Sequence, residues 1–290
     1  MKKTYYVFSS GALKRRDNTI YFESEDGKRH FIPIADTSDI VVFGEVDINK
    51  RFLEFLSQQE VTLHYFSHYG YYMGTFYPRE HLNSGYMVLK QAEHYLDGSS
   101  RLDIACRFVE GSVKNILRVL KYYENRGKDI TERITAIEAL LPAVNECDNV
   151  AALMAIEGNV RDQYYRTFDE IIGQPDFIFE SRSRRPPKNH LNALISFGNS
   201  FLYTVCLSQI YRTHLDPRIG YLHTTNFRRF TLNLDVAEIF KPIIVDRVIF
   251  TLLGRNMITS SDFEKGTEGI MMKERARQCF VSQLEEKLKT

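Results

Sequence analysis

The sequence predicts an α+β protein, in which a small β-rich domain is followed by a larger, all-helical domain. Two observations favour this class. Up to about residue 77, short runs rich in tyrosine, phenylalanine, valine and isoleucine alternate with turn signals, a pattern typical of strands. Beyond the segment YPREHLNSGY, whose proline, asparagine and glycine indicate a linker, apolar residues recur at the helical period almost to the end. We therefore expect a β-rich domain at 1–80 and a helical domain at 81–290.

The first domain is expected to contain several strand segments and one helix. The helix, NKRFLEFLSQQE, is predicted because its phenylalanines and leucines fall on one face that can pack against a sheet. The strand segments are TYYVFSS, NTIYFESEDGKRHFIPI, SDIVVFG, EVTLHYFS and YYMGTFY. The second segment is long enough to include a turn, which the triplet Glu25-Asp26-Gly27 supplies.

The second domain is expected to be helical throughout. Two breaks, Pro186-Pro187 and Asp216-Pro217, divide the pattern because proline cannot continue a helix. The predicted helices span residues 86–97, 100–125, 129–142, 147–172, 189–213, 231–253 and 268–288.

Composition is typical of a soluble globular protein. The 290 residues are 43% hydrophobic and 26% charged. No uncharged apolar run reaches about 18 residues, and no apolar core of signal-peptide length follows the N-terminal lysines. We therefore expect a cytosolic protein with no membrane partner. The four cysteines are widely spaced, which argues against both a zinc site and a disulfide framework.

Positive charge is concentrated between residues 182 and 229. The net charge of the chain is only +1, but this stretch carries eight arginines and lysines against Asp216 alone, a local excess of seven. Folded proteins bind polyanions through such patches rather than through their total charge.

Acidic and imidazole side chains cluster in the second half of the chain. Asp235 and Glu238 are three residues apart in a predicted helix, so they share a face and can share a cation, although a solvated helix face is the alternative. His223 precedes that helix and can add an imidazole ligand, or can simply be a solvated or hydrogen-bonded histidine. Glu157 lies in an apolar stretch, where it needs either a metal ion or an ion pair with Arg161 one turn on. Mixed carboxylate and imidazole ligands suit Mg²⁺ or Mn²⁺.

Four ordered segments carry a resemblance to a known family. They are AIEGNVRDQYY, RPPKNHLNALISFGNSFLY, LDPRIGYLH and LNLDVAEIFKPIIVD. Over essentially its whole length the chain resembles the CRISPR-associated integrase, the metal-dependent DNase of the spacer-adaptation complex. At the amino end, YYVFSSGALKRRDNTIYFE and VVFGEVDINKRFLEFLSQQEVTLHYFSHYGYYMGTFYPRE are most similar to the versions that accompany subtype I-B systems.

The resemblance implies a β-rich domain that forms a homodimer and a helical domain that holds Mg²⁺ or Mn²⁺. Glu157, His223 and Glu238 would be the metal ligands. Asp235, the fourth member of the catalytic set, would orient water and the histidine rather than hold the cation in every state. The reaction would join a 3′-hydroxyl of incoming DNA, or water, to a phosphate of the target.

The resemblance also implies partners and a location. The partners would be double-stranded and branched DNA and a small ferredoxin-like CRISPR-associated adaptation protein, in the cytoplasm of a prokaryote. Many relatives continue with a basic helical tail beyond the position of Thr290, so we expect some DNA contacts to lie outside this sequence. The residues expected to bind DNA, largely through backbone phosphates, are Arg161, Arg182, Arg184, Arg185, Lys188, Arg228 and Arg229.

Three functions are open from the residues: an integrase with DNase activity, a general metal-dependent repair or toxin nuclease, and a non-catalytic DNA-binding scaffold. A scaffold gains nothing from carboxylates that repel phosphate unless a cation intervenes. The match at the amino end favours the integrase over the general nuclease.

Overall fold

The computed structural model describes residues 2–67, 69–79, 82–184, 186–225, 230–266 and 269–289. The chain forms two compact units, Met1–Asn83 and Ser84–Thr290. Strands dominate the first unit and helices the second, so the predicted α+β class is confirmed. The division between the units lies beside the boundary expected near residue 80.

The first unit contains two four-stranded sheets, ordered β1-β5-β7-β8 and β4-β3-β2-β6. A hydrophobic core that includes Leu13, Ile20 and Phe52 fills its interior. The elements are β1 (Lys3–Val7), β2 (Gly11–Arg16), β3 (Thr19–Ser24), β4 (Arg29–Ile32), β5 (Thr37–Val42), β6 (Val46–Ile48), α1 (Lys50–Gln58), β7 (Thr62–Phe66) and β8 (Tyr72–Phe76).

Two of these strands were absent from the sequence prediction. Strand β2 reads GALKRR, which is half charged and buries only Leu13, so it lacks the apolar alternation of a typical strand. Strand β6 has three residues and buries none of them. Pairing with neighbouring strands, rather than local pattern, creates both of these elements.

The second unit is mostly helical and ends with a short hairpin and a helix. Its helices are α2 (Gly85–Leu96), α3 (Gly98–Glu124), α4 (Thr131–Asn145), α5 (Val150–Tyr165), α6 (Phe168–Ile172), α7 (His190–Tyr211), α8 (Leu232–Phe240), α9 (Arg247–Gly254) and α10 (Glu274–Leu288). A π-helical turn, Pro242–Asp246, joins α8 to α9. Strands β9 (Phe263–Gly266) and β10 (Gly269–Met272) form the antiparallel hairpin.

Three helix predictions need correction. The helix predicted at 147–172 divides into α5 and α6. The helix predicted at 231–253 is interrupted by the π-helical turn, because Pro242 has no N–H to donate to the carbonyl of Glu238. Residues 269–272 of the helix predicted at 268–288 form β10, and residue 268 lies outside the described residues. Gly269 has φ +92°, which an α-helix does not accommodate.

Helix α7 is the central helix of this unit. It is long and apolar enough to cross a membrane by length and composition, but 72% of its most apolar window is buried inside the protein, as in a core helix. Asn189 begins it by accepting a hydrogen bond from the N–H of Asn192 at 2.8 Å. Helix α8 packs between α7 and α3, and α5 also packs on α3, so the elements carrying Glu157 and Glu238 share one scaffold.

Candidate active site

The loop before α8 is held in place from two other helices. Gln91 of α2 uses both ends of its amide, donating to the carbonyl of Asp216 at 3.2 Å and accepting from its N–H at 2.8 Å. The Nε of Arg101, in α3, donates to the carbonyl of Tyr221 at 2.9 Å. These contacts fix the backbone that leads into His223.

Gly220 and Thr231 bring this loop against the start of α8. The N–H of Gly220 donates to the Thr231 hydroxyl at 2.9 Å, and that hydroxyl donates to the carbonyl of Arg218 at 2.8 Å. A Cβ at Gly220 would lie 2.8 Å from the carbonyl carbon of Thr231 and 2.9 Å from a carboxylate oxygen of Asp235. Glycine is therefore required for this close approach.

Asp235 is completely buried and organises the loop through both carboxylate oxygens. One oxygen accepts the N–H of Tyr221 at 2.5 Å and of Leu222 at 3.0 Å. The other accepts the N–H of His223 at 2.9 Å and lies 2.8 Å from its ring Nδ1. This pairing assigns the proton to Nδ1, because an ionised carboxylate can only accept. Within the part of the chain that the structure describes, Nε2 of His223 has no hydrogen bond and keeps its lone pair.

Glu157 and Glu238 are joined by one guanidinium. In α5, Arg161 donates to Oε1 of Glu157 through Nε at 3.2 Å and through Nη2 at 3.0 Å. The same Nη2 donates to Oε2 of Glu238, in α8. The ion pair one turn from Glu157 that the sequence suggested is therefore present, and it extends to a second carboxylate. Carboxylates from two helices converge on one positive charge.

A second cation completes the pairing of Glu238. Lys241 donates to the other oxygen of this carboxylate, and both side chains are buried. Burial alone would raise the pKa of Glu238, but the charges of Lys241 and Arg161 outweigh it and hold this pKa at about 2. His223 acts on this pKa in the same direction, so its imidazole lies within electrostatic reach of Glu238.

The imidazole of His223 and the carboxylates of Glu157 and Glu238 are suitable ligands for a divalent cation, although in this structure Arg161 pairs with both carboxylates. An imidazole nitrogen fixed by a carboxylate behind it is the usual arrangement of a metal-binding histidine, and the carboxylates of Glu157 and Glu238 are ligands of the type that Mg²⁺ or Mn²⁺ prefers. Arg161 supplies the positive charge that the two carboxylates share in this conformation. Among the described residues, no three histidine, cysteine or acidic side chains are arranged to hold a metal ion in this conformation. The side chains of Glu157, His223 and Glu238 fit a divalent cation by their chemistry, and its binding requires Arg161 to move off the two carboxylates.

The predicted DNA-binding residues fall into three groups. Arg184 and Lys188 are exposed, as phosphate-binding side chains need to be. Arg161 is committed to Glu157 and Glu238, and Arg182 is partly buried, where it donates to Asn192 at 2.9 Å. The burial of Arg182 lowers its pKa. Arg185, Arg228 and Arg229 lie outside the described residues.

Sequence reasoning missed two charged residues of the site. Lys241 was detectable, because it lies three residues after Glu238 on the same helix face. Asp246 had a weaker signal, a single acid inside the apolar run IFKPIIVDRVIF. Its carboxyl is buried close to Arg161, and burial raises its pKa to about 7.

Comparison with known proteins places this chain and its fold in a family. The family described as CRISPR associated protein Cas1 matches residues 5–286. The chain is 56% identical over 290 residues to the CRISPR-associated endonuclease Cas1 2 of Thermodesulfovibrio yellowstonii, covering 100% of this chain and 88% of that protein. It is 50% identical over 287 residues to the CRISPR-associated endonuclease Cas1 of Thermotoga maritima, covering 99% and 88%.

Solved structures agree. A Cas1 protein from Thermotoga maritima superposes with a TM-score of 0.91 at 50% identity, covering 98% of this chain and 89% of that one. A casposase bound to its integration product shares the fold, with a TM-score of 0.88 at 19% identity and coverage of 99% and 83%. The chain therefore belongs to the CRISPR-associated Cas1 family, in which the two relatives named above are endonucleases.

Proposed function

We propose that this protein is a divalent-metal-dependent DNA endonuclease and strand transferase that joins 3′-hydroxyl ends of short duplex DNA into the repeat of a CRISPR array. Membership of the Cas1 family supports the endonuclease part. The observation that carries the proposal is the state of His223, whose Nδ1 is fixed by the buried Asp235 while Nε2 faces no partner among the described residues. A purely structural histidine has no use for that arrangement.

Each residue of the site has a separate task. Asp235 holds His223 in one tautomer and one orientation through bonds to the backbone and to the ring. Glu157, His223 and Glu238 would hold Mg²⁺ or Mn²⁺. The bound cation would polarise a phosphate oxygen of the DNA and stabilise the charge that develops there.

Binding of the DNA backbone would fall to exposed basic side chains near the Pro186-Pro187 turn. Arg184 and Lys188 are exposed and can reach phosphates without breaking an ion pair shown here. Arg185, Arg228 and Arg229 join the proposal from the sequence alone. The attraction would be largely independent of sequence and would weaken with salt.

The proposal includes an assembly. The first unit would form a homodimer that sets two active sites at a fixed separation, so that both ends of one duplex are used. A small ferredoxin-like CRISPR-associated protein would bind this dimer in the prokaryotic cytoplasm. These partners follow from the family resemblance of the sequence.

The decisive experiment compares two nucleophiles. Purified protein and its partner are incubated with a plasmid carrying a leader and repeat and with a short duplex that ends in 3′-hydroxyls. We expect joined products in Mn²⁺ or Mg²⁺ and none in EDTA, because a bound hydroxyl has a higher effective concentration than water. The same duplex ending in 3′-phosphates should not be joined. Fragments without any joined product would favour a general nuclease, and activity that persists in chelator would exclude the metal mechanism.

Single substitutions assign the reaction to this site. Glu157→Ala should abolish both cleavage and joining while DNA affinity stays unchanged or rises, because a carboxylate facing phosphate is repulsive without a metal. Glu170→Ala is the matched control, since Glu170 is an exposed acid of the neighbouring helix α6. Equal activity of the two variants would refute the role of Glu157.

A further inference from the structure

Asp246 is a buried acid without a local hydrogen-bond partner. It is 1% exposed, and among the described residues neither of its carboxyl oxygens accepts a hydrogen bond. The hydroxyl of Tyr164, on α5, is also buried and without a hydrogen-bond partner in the same part of the structure. Burying two such groups is costly unless another state of the protein uses them.

The π-helical turn holds Asp246 in this position. The N–H of Asp246 donates to the carbonyl of Lys241 at 3.0 Å, the five-residue spacing of a π-helix. The groups whose charges act on its carboxyl are Arg161 from α5 and Glu238 and Lys241 from the end of α8, and the Tyr164 hydroxyl of α5 lies close to it. Asp246 therefore belongs to the same buried cluster as two proposed metal ligands, although it bonds to neither.

Arg161 and a divalent cation compete for the same carboxylates. In the described conformation the guanidinium bonds to both Glu157 and Glu238. A cation held by these carboxylates would repel a guanidinium left in place, strongly so in a buried site. Arginine cannot lose its proton inside a protein, so the displaced guanidinium needs another acceptor. Asp246 is the further carboxylate whose charge reaches Arg161.

We propose that Asp246 is the alternative acceptor for Arg161, which moves from the Glu157 and Glu238 carboxylates to the Asp246 carboxylate and the Tyr164 hydroxyl when a divalent cation binds. Asp246 is thus a positioning residue that acts through Arg161. The exchange gives the Arg161 guanidinium a carboxylate partner both with and without metal. This inference rests on the metal site of the proposed function.

Calorimetric titration of the full chain with Mn²⁺ tests the exchange without measuring activity. The variants are Asp246→Asn, Arg161→Met and the double substitution, with Asp262→Asn as a control for a buried aspartate paired elsewhere with Arg275. Asp246→Asn should weaken Mn²⁺ binding by about tenfold or more, because Arg161 then stays on the ligands. Arg161→Met should bind Mn²⁺ at least as tightly as the unchanged protein. In that background Asp246→Asn should have no further effect, and the control should bind normally.

Two results would overturn the inference alone: Mn²⁺ affinity unchanged in Asp246→Asn, or a loss that persists when Arg161 is absent. If Asp246→Asn does not fold, Tyr164→Phe removes the other half of the acceptor and should give a smaller loss that also disappears with Arg161→Met. An unchanged affinity in Tyr164→Phe would then count against the exchange. An unchanged protein that binds no Mn²⁺ would instead overturn the proposed metal site, and the inference with it.

Discussion

Each unit of the molecule contains a buried aspartate beside a histidine. The two pairs differ in how many ring nitrogens of the histidine are hydrogen-bonded within the described residues. In the first unit, His64 is 1% exposed at its side chain and lies 3.9 Å from Asp39. Its Nε2 lies 3.4 Å from the Thr62 hydroxyl and its Nδ1 2.7 Å from the Thr75 hydroxyl. Both ring nitrogens are therefore occupied within a sheet.

In the second unit, His223 is 22% exposed at its side chain, and of its two ring nitrogens only Nδ1 bonds to Asp235. We propose that the same two residue types serve stability in the first unit and ligand binding in the second. Solvent access and an unoccupied nitrogen distinguish them, and neither property can be read from a histidine in a sequence.

The largest expected effect separates the two histidines directly. His223→Ala should lower the rate of DNA joining by about a hundredfold or more, because removing a metal ligand costs at least as much as removing its supporting partner. Its free energy of unfolding should change little, since the side chain is partly exposed. His64→Ala should show the reverse: activity within a few fold per folded molecule, and a loss of about 1–3 kcal/mol of stability, because the Thr62 and Thr75 hydroxyls each lose a buried contact with the imidazole. Joining assays and urea unfolding check both, and a catalytic loss at His64 would break the comparison.

The next effect concerns the aspartates. Asp235→Asn places an amide where the carboxylate accepts three backbone N–H groups, so the loop and the imidazole lose their fixed orientation. We expect Mn²⁺ affinity to fall by about 10- to 100-fold, measured by calorimetry. Asp39→Asn should reduce stability without changing Mn²⁺ affinity. Equal affinities in the two variants would contradict the positioning role of Asp235.

The free energy of unfolding, measured as a function of pH, distinguishes the charged cluster around Glu238 from the hydroxyl hydrogen bonds around His64. The pKa of Glu238 is held at about 2, below the 4.5 of an ordinary glutamate, so its ionised form stabilises the fold above pH 4.5. In EDTA this contribution, on the order of 3 kcal/mol, should be lost as pH falls from 4.5 towards 2. Glu238→Gln should lose less stability over that interval than the unchanged protein. Urea unfolding at each pH provides the measurement, and parallel curves would refute the assignment.

The smallest expected effect is in the first unit. The Thr75 hydroxyl lies 2.7 Å from both Nδ1 of His64 and the hydroxyl of Tyr72. Thr75→Val should therefore destabilise the protein by about 1 kcal/mol while Mn²⁺ affinity remains unchanged. A change in metal affinity would show that the two polar clusters are coupled.

Local pattern predicted the long helices and most strands of the first unit, because a helix such as α3 shows its own periodicity over many residues and a strand such as β5 lies in a short apolar, β-branched run. It failed at β2, β6, β9 and β10, which are short or lack a regular apolar alternation and are stabilised by hydrogen bonds to other strands. The candidate ligands came from the motifs together with the family resemblance. The ion pair between Arg161 and Glu238 could not be predicted, since it joins residues 77 positions apart. The roles of Glu157, His223 and Glu238 in metal binding stay predictions.

The π-helical turn between α8 and α9 makes this part of the chain sensitive to residue count. An α-helical turn needs one residue fewer than a π-helical turn. The turn at Pro242–Asp246 therefore keeps its geometry only with its present number of residues. Removing one residue from Pro242–Asp246 would rotate everything downstream by about 100° around the helix axis and carry Asp246 away from Arg161. Insertions and deletions are tolerated in surface loops, but in this segment they would rotate α9 relative to the buried cluster around Arg161. The length of this segment, and not only its composition, is part of the site.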